Sequence, residues 1–173
     1  MMYRVPPEVA MQHLKFAFVF AAAFAMLGTA AVNAKPIVQL KLQGALVEHD
    51  PKGAEKLTPV GDVQLRPGET VRYDIVATNA GADPAVKLMP TGRIPAGTEY
   101  EAGTATISGA ARIEFSIDGG KTWAVKPLVK VKTDAGIVEK PADPAMYTTL
   151  RWVNEKSLAP KQSITYTYEV RIK

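Results

Sequence analysis

The sequence predicts an all-β fold, a single antiparallel sandwich, and three observations lead there. Apolar residues recur at every second position in most runs beyond residue 35. Turn-forming Gly, Pro and Asn separate those runs at short intervals. No stretch beyond residue 35 sustains a 3.6-residue apolar period. Together they call for about seven to nine strands in two facing sheets.

The chain opens differently. Residues 16–27 are an uncharged apolar run of twelve, preceded by Arg4, His13 and Lys15 and followed by Gly28 and small residues up to Val32-Asn33-Ala34. A basic start, a short apolar stretch and small residues at −3 and −1 are the parts of a secretory signal peptide. The run is shorter than the ~20 residues of a spanning helix, so an uncleaved anchor is the weaker alternative and no permanent membrane span is expected. Cleavage is expected between Ala34 and Lys35, with Ala30 or Ala31 as further options, and either Met1 or Met11 serves as the start. Residues 1–34 are thus an export address and residues 35–173 one domain, placed in the periplasm or outside the cell.

Composition narrows the chemistry. The 173 residues hold 21 Lys+Arg, 17 Asp+Glu, two His and no Cys. Without cysteine there is no disulfide framework, thiolate zinc site or thiol nucleophile. Removing the first 34 residues leaves 139, with net charge +3, His49 as the sole histidine and Phe115 as the sole phenylalanine. A chain of that length buries about two-thirds of its unfolded surface, enough for one core. Interspersed charges summing to +3 fit a solvated surface, not a nucleic-acid patch.

The strands follow in order. Val38, Leu40 and Leu42 alternate with Gln39, Lys41 and Gln43, predicting a first strand with one buried face. Val71, Tyr73, Ile75 and Ala77 alternate with Arg72, Asp74 and Val76 in a second. Ile113, Phe115 and Ile117 form a third apolar row, and Leu150 with Trp152 a fourth. The last strand is clearest, with Ile164, Tyr166, Tyr168, Val170 and Ile172 against Thr165, Thr167, Glu169 and Arg171. Weaker strands are expected near 85–89, 98–101, 104–108 and 127–132. Between them, Pro67-Gly68, Asn79-Ala80-Gly81, Pro95-Ala96-Gly97, Asp118-Gly119-Gly120 and Pro160-Lys161-Gln162 read as turns. Lys140-Pro141-Ala142-Asp143-Pro144 reads as a long inter-strand loop.

The segment 65–81, a Pro-Gly-Glu turn opening a Val/Tyr/Ile strand that ends in Asn79-Ala80-Gly81, resembles the start of the conserved-repeat domain known as domain of unknown function eleven. Ile94-Pro95-Ala96-Gly97-Thr98-Glu99-Tyr100 is similar to the Leu-Pro-x-Gly-x-x-Tyr element that follows there, and Tyr147–Val153 and Leu158–Ile172 to its late elements. Thr91-Gly92-Arg93 replaces the usual Asp before Leu-Pro, and Pro160-Lys161 stands where Pro-Gly is commoner. The resemblance implies an immunoglobulin-like antiparallel β-sandwich, exported and surface-associated, that acts as a scaffold or interaction module.

Ser116-Ile117-Asp118-Gly119-Gly120-Lys121-Thr122-Trp123 also resembles the sialidase Asp-box, Ser-x-Asp-x-Gly-x-Thr-Trp. Its physics is that of a hairpin. Asp118 accepts from the turn's own amides, Gly119 and Gly120 allow positive φ, and Trp123 packs back under the turn. In the propeller enzymes the box is structural, and one box in 139 residues is too little chain for blades. Ser116, Asp118, Gly120, Thr122 and Trp123 are therefore expected to be a structural hairpin.

Other candidates for chemistry are few. His49, between Glu48 and Asp50, has no second imidazole to join it and reads as part of a polar loop. Glu48, Asp50 and Asp62 lack the ligand spacing of a calcium loop. Lys121, Lys126, Lys130 and Lys132 suit an anionic surface, but read more simply as a solvated strand face opposite Val129 and Val131. Tyr166, Tyr168 and Trp152 suit a sugar platform, yet share the core face. Asp143-Pro144-Ala145-Met146-Tyr147 is similar to the run before strand F of immunoglobulin domains, which suggests a tyrosine corner. No catalytic residue, cofactor or metal is expected. The expectation is a non-catalytic envelope protein with a structural, adhesion or protein-interaction role towards an envelope or surface protein. The alternative is a carbohydrate-binding module for polysaccharide that uses exposed aromatics.

Overall fold

A computed structural model of the chain describes residues 35–173. The expected export address, with its cleavage point after Ala34, lies outside them.

The described residues fold as antiparallel sheets with only two short 3-10 turns of helix. The larger sheet is built from β1 (Val38–His49), β2 (Glu55–Pro59), β3 (Thr70–Asn79), β5 (Thr98–Tyr100), β6 (Thr106–Ile107) and β11 (Ser163–Ile172). Their order is β2-β1-β3-β11-β5, with β6 beside β11 next to β5. A smaller sheet holds β4 (Thr91–Arg93), β10 (Thr149–Asn154) and β7 (Ala111–Ser116), in the order β4-β10-β7. A separate hairpin pairs β8 (Leu128–Thr133) with β9 (Gly136–Pro141).

The alternation in β3 and β11 decides which face is dry. Val71, Ile75 and Ala77 on β3 and Tyr166, Tyr168 and Val170 on β11 are buried. Their in-between neighbours point the other way and make a polar outer face. There Arg72 reaches across Ala45 to Glu55 on β2 (2.5 Å) and also holds Glu169 on β11 (2.6 Å). The smaller sheet sends Leu150 and Trp152, both fully buried, into the same core. Trp152 meets Tyr166 and Tyr168 with ring centroids 5.3 and 6.0 Å apart. The contact between sheets is closest at β4, where a Cβ on Gly92 would lie 2.7 Å from the Tyr168 ring. The Tyr168 hydroxyl donates to the Arg93 carbonyl at 2.6 Å. Glycine at 92 is what lets this edge strand settle on Tyr168.

Several elements differ from expectation. Strand β1 runs on to His49, because Asp50 accepts from the Lys52 and Ala54 amides (both 2.8 Å) and closes a hairpin to β2. His49 is thus the last strand residue, not part of a loop. Leu40 and Leu42 share the inner face of β1 with Leu46, yet remain 58% and 61% exposed. Three strands do not cover six, and the Leu40–Leu42 stretch of β1 is left uncovered. Lys140-Pro141, expected as loop, ends β9, where a residue without an N–H is tolerated at an edge. Segment 85–89 is no regular strand. Ala85 bridges Leu158, and the Leu88 and Pro90 carbonyls accept from Asn154 and Trp152 on β10.

The turn from Ala159 to Gln162 carries a testable strain. Gln162 N–H donates to the Ala159 carbonyl (3.1 Å), Pro160 takes the second corner and Lys161 the third, with φ of 62°. A type II turn favours glycine at that corner, because a Cβ is crowded at positive φ. Lys161→Gly is expected to raise stability by up to about 1 kcal/mol, read as a higher denaturation midpoint at unchanged m.

Candidate functional site

The Asp-box-like octapeptide leaves β7 at Ser116 and returns at Ala124, which exchanges both backbone hydrogen bonds with Phe115 (2.8 and 3.0 Å). Inside it, Asp118 accepts from four donors: the Ser116 hydroxyl (2.6 Å), the Lys121 and Thr122 amides (3.0 and 2.9 Å) and the Thr122 hydroxyl (2.6 Å). Ser116 Oγ in turn accepts from the Gly120 amide at 2.9 Å. Gly119 and Gly120 have φ of 73° and 91°. The Trp123 ring lies 3.2 Å from where a Gly120 Cβ would stand, so the indole packs under the turn. The Asp118 and Ser116 side chains are turned inward on the motif's own groups, the Gly119 amide donates to Thr148 Oγ1 beside β10 (3.0 Å), and the geometry is that of a folded clasp.

The clasp covers the outer face of the smaller sheet. Ser116, Glu114 and Thr149 on that face are buried. Glu114 is held by Arg151 (2.7 Å) and Arg112 (2.9 Å), and the Arg151 guanidinium sits 4.5 Å from the Trp123 ring centroid. Burial pushes the Glu114 carboxyl up, but the hydrogen bonds and charges of Arg151 and Arg112 outweigh it and leave the net shift downward. Glu114 is thus a charged strut between strand and clasp.

The Asp118 carboxyl is held well below the usual aspartate range, first by the Ser116 hydroxyl, then by the Thr122 hydroxyl and amide. A depressed folded value means stability that is present above the unfolded value, near about 4, and lost as pH falls below it. Asp118→Asn is therefore expected to melt below the wild type at neutral pH, with the gap closing as pH falls from about 4 to 2. Melting temperature against pH for both proteins reads this directly. A constant gap would assign the effect to packing.

Elsewhere the singled-out residues are scattered. His49 faces Glu55 across the β1–β2 ladder of the larger sheet. Glu48 pairs with Lys56 (3.5 Å) and accepts from Thr58 (3.1 Å), while Asp50 serves its own turn. Among the described residues, no three His, Asp or Glu side chains come together as a metal would need. Lys130 and Lys132 are exposed on β8 and Val129 and Val131 half-buried behind them, as the alternation implied. Asp143 caps a short 3-10 turn by accepting from Ala145 N–H (2.9 Å). Tyr147, the weaker candidate for a tyrosine corner, stacks on Phe115 with ring centroids 4.6 Å apart.

That stack floors a groove of about 450 Å³. Tyr100 completes the floor, 5.2 Å from Phe115 and 6.0 Å from Tyr147. One wall is the β5–β6 connection of the larger sheet and the other is the outer edge of β7, with Val125 and Lys126 beyond it. The pairing of β7 with β10 directs the backbone groups of Arg112, Glu114 and Ser116 towards β10, and those of Ala111, Ile113 and Phe115 outward. Phe115 spends its pair on Ala124, after which Pro127 diverts the chain. The outward N–H and C=O of Ala111 and Ile113 have no backbone partner among the described residues. The sequence marks Lys126 and the tyrosines, but not Arg112 or the open edge, because a free strand edge leaves no signature in its own residues.

No protein-family model, curated protein or solved structure matches the chain. Among the described residues, no helix is long and apolar enough to cross a membrane.

Proposed function

We propose that the chain is an exported, non-catalytic protein whose immunoglobulin-like sandwich, residues 35–173, has a structural or interaction role at the cell envelope with a protein partner. The observation that carries this reading is the open β7 edge beside an aromatic-floored groove, since unpaired strand edges are sites of chain-to-chain recognition. Residues 1–34 support export by their three-part signal pattern. Two facing sheets, with Trp152 between them, and the resemblance of residues 65–81 and 94–100 to an exported repeat domain support the immunoglobulin-like arrangement.

A non-catalytic role agrees with what the polar groups already do. Asp118 has four donors, Glu114 two arginines, and His49 is the one histidine among the described residues. The carbohydrate-binding alternative needs open aromatic faces. Trp152 is fully buried and Arg151 covers one face of Trp123, so a protein partner is favoured over polysaccharide.

Fractionation with intact-mass measurement, followed by chemical cross-linking in whole cells, tests the reading. The expected result is an extracytoplasmic protein that begins at Lys35 and gives one reproducible protein adduct. A cytoplasmic protein retaining residues 1–34 would overturn it. So would retention on envelope polysaccharide without any adduct, or a hydrolytic activity abolished by His49→Ala.

A further inference from the structure

Resting on the interaction role just proposed, we infer that the groove beside β7 binds an extended peptide segment of the partner. The segment adds as a strand to the β7 edge, directs an apolar side chain onto the Phe115–Tyr147 floor and carries acidic residues for Lys126 and Arg112.

The geometry fixes each part of that description. The outward backbone groups of Ala111 and Ile113 offer two donors and two acceptors in one row, which an extended backbone matches with every second residue. Alternate side chains of such a strand point to opposite faces, so one set faces the aromatic floor and the other faces solvent. The floor of Phe115, Tyr147 and Tyr100 is apolar, and a groove of about 450 Å³ is wide enough for a large aliphatic or aromatic side chain.

Charge settles which peptide. Lys126 and Arg112 line the groove. Lys126 makes no ion pair among the described residues, and Arg112 shares its one acid, Glu114, with Arg151 while keeping more than half of its side chain exposed. The nearby acids Glu99 and Glu101 are taken by Arg171. Both charged side chains among the lining residues are therefore cations, Asp143 nearby being turned to the Ala145 amide, and a segment with carboxylates beside its apolar anchor complements them. A neutral sugar would meet the floor but leave both cations and the backbone row unused.

The test selects peptides from a displayed library of random linear sequences on the immobilised full-length protein. Enriched peptides are expected to alternate apolar and other residues and to carry Asp or Glu. Lys126→Glu, a change at an exposed site, should weaken the best of them by about tenfold or more, and replacing the peptide's acid with Lys should restore part of the loss. N-methylation of alternate peptide amides should abolish binding in one register and spare it in the other, which a side-chain-only contact would not do. No enrichment, or enriched peptides indifferent to Lys126→Glu and to methylation in both registers, would overturn the inference. These outcomes are distinct from failure of the broader role, which would show as no protein adduct in whole cells.

Discussion

Replacing Asn79 with alanine is expected to cost about 3 kcal/mol or more of stability, well above an ordinary polar-to-alanine change. Asn79 is fully buried at the end of β3 and its side chain makes four hydrogen bonds. Its amide nitrogen donates to the Asp83 and Leu158 carbonyls (2.7 and 3.0 Å), and its oxygen accepts from the Gly81 and Ile37 amides (3.0 and 3.3 Å). The side chain thus ties together the chain entering β1, the turn after β3 and the segment before β11. Removing it leaves the buried Gly81 amide and the half-buried Asp83 carbonyl without that partner, while the Leu158 carbonyl keeps the Ala85 amide (2.9 Å); a group stranded in this way costs about 1–3 kcal/mol before relaxation. Gly81 belongs to the same knot, since a Cβ there would lie 2.4 Å from the Lys35 carbonyl oxygen. Asn79→Asp separates the causes. It keeps the volume but turns the donor into an acceptor facing two carbonyls, so it should destabilise about as much as alanine. A mild effect of Asn79→Asp in chemical denaturation would assign the site to packing alone.

Trp152→Ala is expected to cost about 3–5 kcal/mol, the range for emptying a buried aromatic site. The indole is fully buried between the sheets against Tyr166 and Tyr168. Trp152 stands on the central strand of its sheet, paired on both sides by β4 and β7, which limits how far the site can collapse. Trp152→Phe should be far milder, about 1–2 kcal/mol, for a second reason. Trp152 Nε1 is buried without a hydrogen-bond partner, so phenylalanine gives up no hydrogen bond and removes a desolvated donor. Denaturation midpoints of the two variants, with m-values to confirm an unchanged fold, read the difference. Equal losses would mean that the indole nitrogen has a partner.

Strands β3 and β11 were legible because both faces of each strand have fixed surroundings, dry inside and wet outside, and a period of two records that. The same period misleads at β1. Leu40 and Leu42 carry the alternation of a buried row, but burial depends on how far the opposite sheet extends, which no local pattern encodes. Strands β2 and β9 escaped notice because Glu55–Pro59 and Gly136–Pro141 border turns and lack alternation. The Asp-box-like clasp could be read from its own residues, since the Asp118 and Ser116 side chains bond within the eight, and only its tie to Thr148 is distant. The groove could not. Tyr100, Phe115 and Tyr147 come from separate parts of the chain, and the β7 edge is open only because the ladder stops after Ala124.

Two positions hold their residues for backbone reasons. Gly92 allows the close seat on Tyr168. Lys161 accepts a positive φ at the third corner of its turn. Both positions sit where backbone geometry, not side-chain chemistry, is constrained.

The central proposal is an exported sandwich that meets its partner at the β7 edge. Site-specific photo-crosslinking in intact cells addresses this most directly, with the reactive side chain placed at Val125 in the groove or at Thr165 on the outer face of the larger sheet. A protein adduct is expected from Val125, lost when Lys126→Glu is added, and none from Thr165. An adduct from Thr165 alone, or none from either position in the exported protein, would contradict it.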